Sequence, residues 1–480
     1  MTAICPRRER PRAASLAAVL AAHLIAAAVL ATGAGGCGRD GGAAGERDAG
    51  RDDRERVPAA RQAPAAGRGP RDVAVVLIDT LRPDHLGFYG YPRETAPFLA
   101  RLAERAVVFR RAWSTSSWTA PATASLFTSM HPARHGVTMG FFAHQDRVRE
   151  IERDGASVLP LNRIAGDLAT LPERFRAAGY RTFGLASNVN IGPELGFDRG
   201  FDRFSRKHGA PAGLLVDQLL SWLEREPDPA PPRLVYLHLN DVHAPYEPLE
   251  PWYRRSRDEL ADTVSRYDSG ISYVDAQLER LFARAGWEEQ TIVAVVSDHG
   301  EELMDHGETG HGHRLYRELL QVLAMIAAPG VPPSQVSENV SLLDVLPTIV
   351  ELARVESADP TEGRSLVPLM LPGRGAPRPV ASRSLVAHRA HPQTSDHDLW
   401  SIVRDDWHLI VGRGREQLFD LARDPTEREE RSAREPEERA RLQQHLDAFR
   451  ARPATPPERV EVELDGAALE RLKTLGYVAE

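Results

Sequence analysis

Two carboxylates and an imidazole stand where a divalent cation could be gripped. Asp79 directly follows the apolar run Val75-Val76-Leu77-Ile78, and Asp298-His299 follow Val293 to Ser297. Ionised oxygens beside a neutral imidazole nitrogen suit zinc or manganese. A lone Asp at a strand end carries little weight, because Asp also serves there as a turn or helix cap. Here a third exit, Asn240-Asp241-Val242-His243 after Leu234 to Leu239, joins the first two. In an open α/β sheet the carboxyl ends of the strands face the ligand crevice, so the three exits point to one place. A hydroxyl-rich segment, Ser114 to Thr128, adds Thr119 shortly ahead of Pro121. Proline in a first helical turn forfeits no hydrogen bond, so a helix is expected to begin near Thr119. Its hydroxyl then has two readings. It is an N-cap accepting a backbone N–H, or it attacks an anionic ester cradled by the helix N-terminus. The second reading needs a cation or base to lower the hydroxyl's pKa, which the Asp/Asp/His set would supply.

Bringing these residues together requires a sheet. Val73 to Ile78, Arg181 to Ala186, Leu234 to Leu239, Thr291 to Val296 and Val322 to Ala328 are short continuous apolar runs, predicted as buried strands. Between them, Pro97 to Arg105, Asp167 to Ala178, Gly213 to Glu224, Asp258 to Ala285 and Ser341 to Ala353 carry helical spacing. That alternation predicts an α/β fold, a mostly parallel central sheet covered by helices on both faces. A Pro/Gly/Arg stretch, Leu371 to Pro379, precedes a smaller C-terminal α+β subdomain. In it Trp400 to Val403 and Trp407 to Val411 read as a hairpin, ahead of a charged helical tail ending in Leu469 to Val478. The expected division is an export or lipoprotein signal (1–37), a disordered tether (38–71), a catalytic α/β domain (72–372) and the C-terminal subdomain with its tail (373–480).

With 480 residues, 42% hydrophobic and 27% charged, the chain can bury a large core, and collagen-like, coiled-coil and wholly disordered classes are excluded. A net charge of −8 and no separate basic domain argue against nucleic acid as a partner. Lys207 and Lys473 are the only lysines, so in this arginine-rich chain an isolated Arg says little. Cys5 and Cys37 both precede the predicted folded region, which leaves that region without a disulfide or a cysteine nucleophile. Arg7, Arg8, Arg10 and Arg12 precede an Ala/Leu/Val run from Ala13 to Thr32, which reads as an export signal. Ala34-Gly35-Gly36-Cys37 resembles a bacterial lipoprotein cleavage box; the alternative is an uncleaved membrane anchor. Each version exports the body of the protein, and an N-terminal lipid or anchor makes the membrane a partner. From Gly38 to Pro70 almost nothing is apolar, so burial cannot offset ordering entropy.

Further segments follow in a fixed order. They are VVLIDTLRPDHLGFYG (Val75 to Gly90), Pro97-Phe98-Leu99, Thr119 to Thr128 with His131 to Gly136, HLNDVHAPY (His238 to Tyr246) and SDHGEELMDHGETGHGHRLY (Ser297 to Tyr316). LLDVLPT (Leu342 to Thr348), GRSL (Gly363 to Leu366), LFDL (Leu418 to Leu421) with Asp424-Pro425, and Leu472 to Val478 complete the series. In this order they resemble the sulfatase-like branch of the alkaline-phosphatase superfamily, from about Asp72 to Glu480. Members that cleave sulfate esters carry Cys or Ser, oxidised to formylglycine, in a Cys/Ser-x-Pro-x-Arg context. Here those positions are Thr119 and Thr123, and Thr cannot become that aldehyde. Thr80 replaces the second carboxylate of the family's Asp-Asp pair, and His299 stands where calcium-binding sulfatases tend to have Asn. These changes favour zinc or manganese over calcium or magnesium. A Thr nucleophile beside Asp/Asp/His resembles the superfamily's phosphodiesterases, phosphonate hydrolases and phosphoethanolamine transferases, which pass through a phosphothreonine.

The resemblance therefore implies Asp79, Thr119, Asp298 and His299 as metal ligands, with Thr119 also the nucleophile. His243 and His311 would bind the non-bridging oxygens or protonate the leaving group. His313 is a candidate for the same task, with a solvated surface turn as the alternative for it and for His306. Asp241, His243 and His311 are candidates for a second metal. Trp118, Trp252 and Trp287 read as packing residues. The expected function is an exported metal-dependent hydrolase or transferase acting on a phosphoester or phosphonate. Sulfuric ester hydrolysis is the alternative that Thr119 and Thr123 oppose. A non-catalytic binding protein is the one opposed by the intact Asp79, Thr119, Asp298, His299 set. Specificity is expected in the loops Phe141 to Arg163 and Ala244 to Asp258.

Overall fold

Strand β1 (Val73–Ile78) is buried along its whole length, with Val73, Val75 and Leu77 in one apolar cluster and Ala74, Val76 and Ile78 in another. A strand covered on both faces needs no polar side, which is why its sequence is continuously apolar. In the computed structural model the described residues are 71–141, 158–227, 230–287, 290–371, 384–389, 398–454 and 457–463, all within one unit, Pro64–Glu480. The expected signal and tether, most of the Pro/Gly/Arg stretch after Leu371, the middle of the Phe141 to Arg163 loop and the terminal Leu472 to Val478 segment lie outside those residues.

After β1 come α1 (Pro97–Ala103), β2 (Val107–Trp113), α2 (Thr119–Thr128), α3 (Pro132–His135), β3 (Val158–Arg163), α4 (Leu171–Ala177) and β4 (Arg181–Ala186). Next are β5 (Arg203–Arg206), α5 (Ala212–Leu223), β6 (Arg233–Leu239), α6 (Glu259–Ala285), β7 (Ile292–Val296), β8 (Glu302–Leu303), β9 (Thr309–Gly310) and α7 (Arg317–Leu320). The chain continues through β10 (Gln321–Val322), β11 (Ala324–Ala327), β12 (Ser334–Ser341), α8 (Val345–Ala353) and α9 (Val367–Met370). It ends in β13 (Leu385–Arg389), β14 (Leu399–Arg404), β15 (Trp407–Gly412), β16 (Arg415–Asp420), α10 (Pro436–Arg450) and β17 (Glu458–Glu463).

The central sheet has nine strands in the order β10-β2-β11-β7-β1-β6-β4-β5, with β12 also on β2. Strands β7, β1, β6, β4 and β5 run parallel, so their carboxyl ends share one edge. Side chains of α2, α4 and α8 pack on one face and those of α1, α5 and α6 on the other. This is the expected mostly parallel sheet between helical layers. Helix α6 is held at its start by Asp258, whose carboxylate accepts the Ala261 N–H, and ends at Gly286 with φ of 68°.

Strands β3, β5, β12, β13 and β16 are not predicted from the sequence, and three further departures have a physical reason. The run Val322 to Ala328 is two strands, because Leu323 bonds Ser297 through both its N–H and its carbonyl, and β11 lies antiparallel to β7. An apolar run specifies burial but not direction. Strand β2 sits inside the sheet but is not predicted, because Arg110 and Arg111 interrupt its apolar run; Arg110 lies 4.0 Å from the Tyr89 ring centroid. Part of the expected helical tail is β17, paired antiparallel with β3. Val460 and Val462 pack on the core at the period of a strand, alternating with charged residues. The hairpin expected at Trp400 and Trp407 is β14–β15, within the antiparallel sheet β13-β14-β15-β16, and Leu442 and Leu446 of α10 pack against it.

Candidate active site

Four adjacent parallel strands end in polar residues that meet. Asp79 leaves β1, Asn188 follows β4, Asn240 follows β6, and Asp298-His299 follow β7. Asn188 Nδ2 donates to Asp79 Oδ2 at 2.8 Å and to Asn240 Oδ1 at 3.0 Å, which fixes the Asp79 carboxylate. His238, fully buried in β6, lies with Nε2 3.4 Å from the same oxygen. The turn after β1 is strained: Thr80, a β-branched residue, has φ of 59°. Its N–H reaches Asp298 Oδ1 at 3.4 Å, its hydroxyl donates to the Asp79 carbonyl, and its own carbonyl accepts from Tyr267 Oη. Thr80 therefore braces the two aspartates in the position where the resembled family has a ligand carboxylate. Gly300 is required after His299, because a Cβ there would come within 1.9 Å of the Glu318 carbonyl oxygen.

Helix α2 begins at Thr119, and the residue flanking it is Trp118, extended at φ −156° with no side-chain cap. Thr119 is thus the first helical residue and its hydroxyl is not the N-cap. That hydroxyl instead lies 3.4 Å from Asp79 Oδ2 and 3.3 Å from His299 Nε2. Thr119, Asp79, Asp298 and His299 are all buried, and the last three offer ligand atoms within 4.8 Å of one another.

The donor set fits a cation. His299 Nδ1 is 2.8 Å from the Gly300 carbonyl, so the ring proton sits on Nδ1 and Nε2 presents a bare lone pair, 3.5 Å from Asp79 Oδ1 and from Asp298 Oδ2. Neither carboxylate oxygen accepts a hydrogen bond from the described residues. Three converging lone pairs in a buried place are repulsive unless a positive charge lies between them. The titration behaviour agrees. Burial and the charge of Asp79 push the Asp298 carboxyl well above its usual range, and burial pushes the His299 imidazole down to about 3. Burial alone would raise Asp79, but the imidazoles of His238, His243, His299 and His311 outweigh it and hold the group below its ordinary value.

His311 and His243 stand over this cluster. The His311 ring centroid is 4.6 Å from that of His299 and 4.8 Å from that of His243. His311 Nδ1 is held at 3.0 Å by Glu301, a buried carboxylate. Burial would lower the His311 pKa, but the Glu301 carboxylate outweighs it and raises the group, favouring an imidazolium with Nε2–H. His243 Nδ1 is 2.6 Å from the Ala244 carbonyl, and its Nε2 makes no hydrogen bond among the described residues. Beside it a cleft of about 210 Å³ is lined by His208, Asn240, His243 and Glu247, among others.

The remaining candidates face elsewhere. His313 Nε2 bonds Glu302 at 2.8 Å, and His306 bonds Glu318 at 2.7 Å and stacks on Tyr316. Asp241 spends both oxygens on the Ala212 N–H at the start of α5, so it makes a poor partner for His243 and His311 in a second metal site. Trp118 and Trp287 are buried, and Trp252 packs edge-on against Tyr273. Sequence reasoning assigned no role to Asn188, His238 or Glu301. The strand-exit rule applied to β4 would have found Asn188; Glu301 had no local signal.

The Sulfatase family model matches residues 71–355 of the chain. Arylsulfatase K of Gallus gallus is 34% identical over 150 residues, covering 29% of this chain and 27% of that protein. Kdo(2)-lipid A phosphoethanolamine 7''-transferase of Escherichia coli (strain K12) is 26% identical over 259 residues, covering 52% of this chain and 41% of that protein. The chain thus spans less than half the length of either. The crystal structure of the phosphonate monoester hydrolase of Agrobacterium radiobacter superposes with a TM-score of 0.63 at 17% identity, covering 79% of this chain and 95% of that one. It has the same fold.

Proposed function

The chain belongs to the sulfatase family, and from that membership we propose that it is an exported, metal-dependent hydrolase or transferase that acts on a phosphoester or phosphonate through Thr119. The observation that carries the reading is the Thr119 hydroxyl, fully buried, free of a capping role and within 3.4 Å of Asp79 Oδ2 and His299 Nε2. Asp79, Asp298, His299 and Thr119 would hold a divalent cation, with zinc or manganese favoured by the mixed nitrogen and oxygen donors. When bound, it would lower the hydroxyl's pKa and offset charge on the anionic ester.

The chain's own residues supply the rest. Thr119 Oγ attacks phosphorus as its proton passes to Asp79 Oδ2, the oxygen it donates to, from which it returns when the phosphothreonine is cleaved; the Oγ–P bond forms and the bond to the leaving oxygen breaks. His311 donates Nε2–H to that oxygen, with Glu301 holding the imidazolium in place. Water, or an acceptor alcohol, then attacks the phosphothreonine, and Thr119 regains its proton as the second product departs. His243 lies on the same side and would hold a non-bridging oxygen. The phosphoethanolamine transferase among the sequence relatives is in keeping with the transfer branch.

Sulfate-ester hydrolysis is the second reading, favoured by relatives such as arylsulfatase K. It is disfavoured because a threonine ester lacks the second hydroxyl through which a hydrated aldehyde expels sulfate. The test is an assay of the full chain, with zinc or manganese, against aryl phosphate mono- and diesters, aryl phosphonates and aryl sulfates. Mass spectrometry of quenched enzyme would accompany it. Turnover of a phosphorus ester with phosphate trapped on Thr119 is expected. Activity on sulfates alone, or a Thr119→Ala variant as active as the parent, overturns the proposal.

A further inference from the structure

A second cavity, of about 290 Å³, opens between α3, the β13–β14 pair and the C-terminal end of α10. It lies beyond the C-terminal end of α2, whose ten residues put it on the order of 15 Å or more from Thr119. Arg134, Arg450 and Arg452 line it, and none of the three forms an ion pair with a carboxylate among the described residues. Two of them are placed by aromatic rings. The Arg450 guanidinium lies 5.5 Å from the Trp400 ring centroid, and that of Arg452 lies 5.0 Å from the Phe449 centroid. Trp400 is itself backed by His388, stacked at 3.8 Å and 14°. A guanidinium resting on an aromatic face keeps its N–H edge free and loses little freedom on engaging a planar or tetrahedral oxyanion through paired hydrogen bonds.

The rest of the lining agrees. His388 is 7% exposed, and its Nδ1 makes no hydrogen bond among the described residues. Glu362, whose Oε2 accepts the His131 N–H at 2.7 Å, is the one carboxylate among the lining residues and stands against the guanidiniums of Arg134, Arg450 and Arg452. Charge in the cavity is therefore positive on balance. Its volume is at the lower end of small-molecule sites, room for one ring and its substituent.

We propose that this cavity is a second binding site, separate from the Thr119 centre, for an oxyanion carried on a single sugar-sized ring, with Arg134, Arg450 and Arg452 holding the oxyanion and the Trp400 and Phe449 wall contacting the ring. The site does not depend on the reaction at Thr119. The oxyanion is a carboxylate, a sulfate or a phosphate, chemistry the three arginines accept alike.

Calorimetric titration of the full chain, treated with chelator to silence anion binding at the Asp79/Asp298/His299 set, tests the site. The probes are glucose 6-phosphate, glucose 6-sulfate, glucuronate, inorganic phosphate and neutral glucose. Saturable binding of a ring oxyanion at millimolar concentration or below, with none for glucose, is expected. In Arg450→Ala/Arg452→Ala it weakens by about tenfold or more, and in Thr119→Ala it is retained. Arg450→Lys/Arg452→Lys keeps the charge but loses the fork; an intermediate affinity with an unchanged melting temperature excludes misfolding as the cause. The tightest of the three sugar acids identifies the group. Inorganic phosphate binding as well as glucose 6-phosphate overturns the role of the ring. No saturable binding by any anion, or undiminished binding in the double alanine variant, overturns the site.

Discussion

The two ends of helix α2 are equally buried and equally polar, yet they differ in whether their hydrogen bonds are met. At the C-terminal end Thr128 Oγ1 donates to the Ala124 carbonyl, and Ser129, in the left-handed region at φ 56°, donates its hydroxyl to the Leu343 carbonyl. Ser125 Oγ accepts from Thr115 and faces His135 Nε2 at 3.1 Å, while His135 Nδ1 accepts the Val137 N–H. At the N-terminal end Thr119 faces Asp79 Oδ2 and His299 Nε2, and beside them Asp79 Oδ1 and Asp298 Oδ2 accept no hydrogen bond among the described residues. Burial therefore does not distinguish a structural polar group from a functional one. What sets the N-terminal end apart is that its unmet acceptors converge, with ligand atoms of Asp79, Asp298 and His299 all within 4.8 Å of one another.

The largest contrast is between hydroxyls at the two ends. Thr119→Ala is expected to lower turnover by about 10³-fold or more while leaving thermal unfolding nearly unchanged. Ser125→Ala should do the reverse, keeping most activity while stability falls by about 1–3 kcal/mol, because the Thr115 hydroxyl and His135 Nε2–H lose their acceptor. Equal effects of both variants on turnover would erase the distinction.

Asp298→Asn sharpens it. The variant should be inactive with added metal, yet in chelator the folded chain should gain about 1–3 kcal/mol, since an aspartate held above its usual pKa by burial and Asp79 is more costly than an amide. Denaturant titration in chelator reads this, and a loss of stability there would count against the repulsion inferred between the two carboxylates. Asn188→Ala, which frees the Asp79 carboxylate from its anchor, should weaken divalent-metal affinity by about 10–100-fold; dialysis with metal analysis measures it.

The C-terminal end has its own signature in pH. Burial pushes His135 from an ordinary 6.5 down to about 3, so the unfolded chain takes up a proton in this range and the folded chain does not. The stabilisation from neutral His135 is fully present above about 6.5 and is lost as pH falls towards about 3. His135→Gln should flatten the stability profile over that window by up to one proton and leave it unaltered above pH 7. The smallest effect is expected at His313, whose contacts are Glu302 and Glu308. His313→Gln should change turnover by less than about fivefold, as a partly exposed ion pair contributes about 1 kcal/mol or less. A much larger loss would bring His313 into the site.

Much of the centre was legible from the chain. Asp79, Asp298 and His299 follow runs of apolar residues that can only be strands buried on both faces, and such strands point their ends at one crevice. Pro121 marked where α2 begins, but the hydroxyl's role stayed open, because capping and catalysis leave the same local sequence. Asn188 was readable by the same strand-exit logic. Glu301 was not, since its meaning rests on where His311, ten positions later, folds back to meet it.

The sequence by itself determined the continuously apolar strands at the middle of the sheet, the alternation of strands with helices around them, and the residue types able to bind a cation, because apolar periodicity and ionisable groups are local properties. Only the tertiary structure decided the direction of β11, the pairing of β17 with β3, the brace that Thr80 and Tyr267 form behind the aspartates, and the absence of any cap on Thr119 among the described residues. Each of these depends on contacts between residues far apart in the chain, where hydrogen-bond partners and lone pairs are assigned only once the sheet has formed.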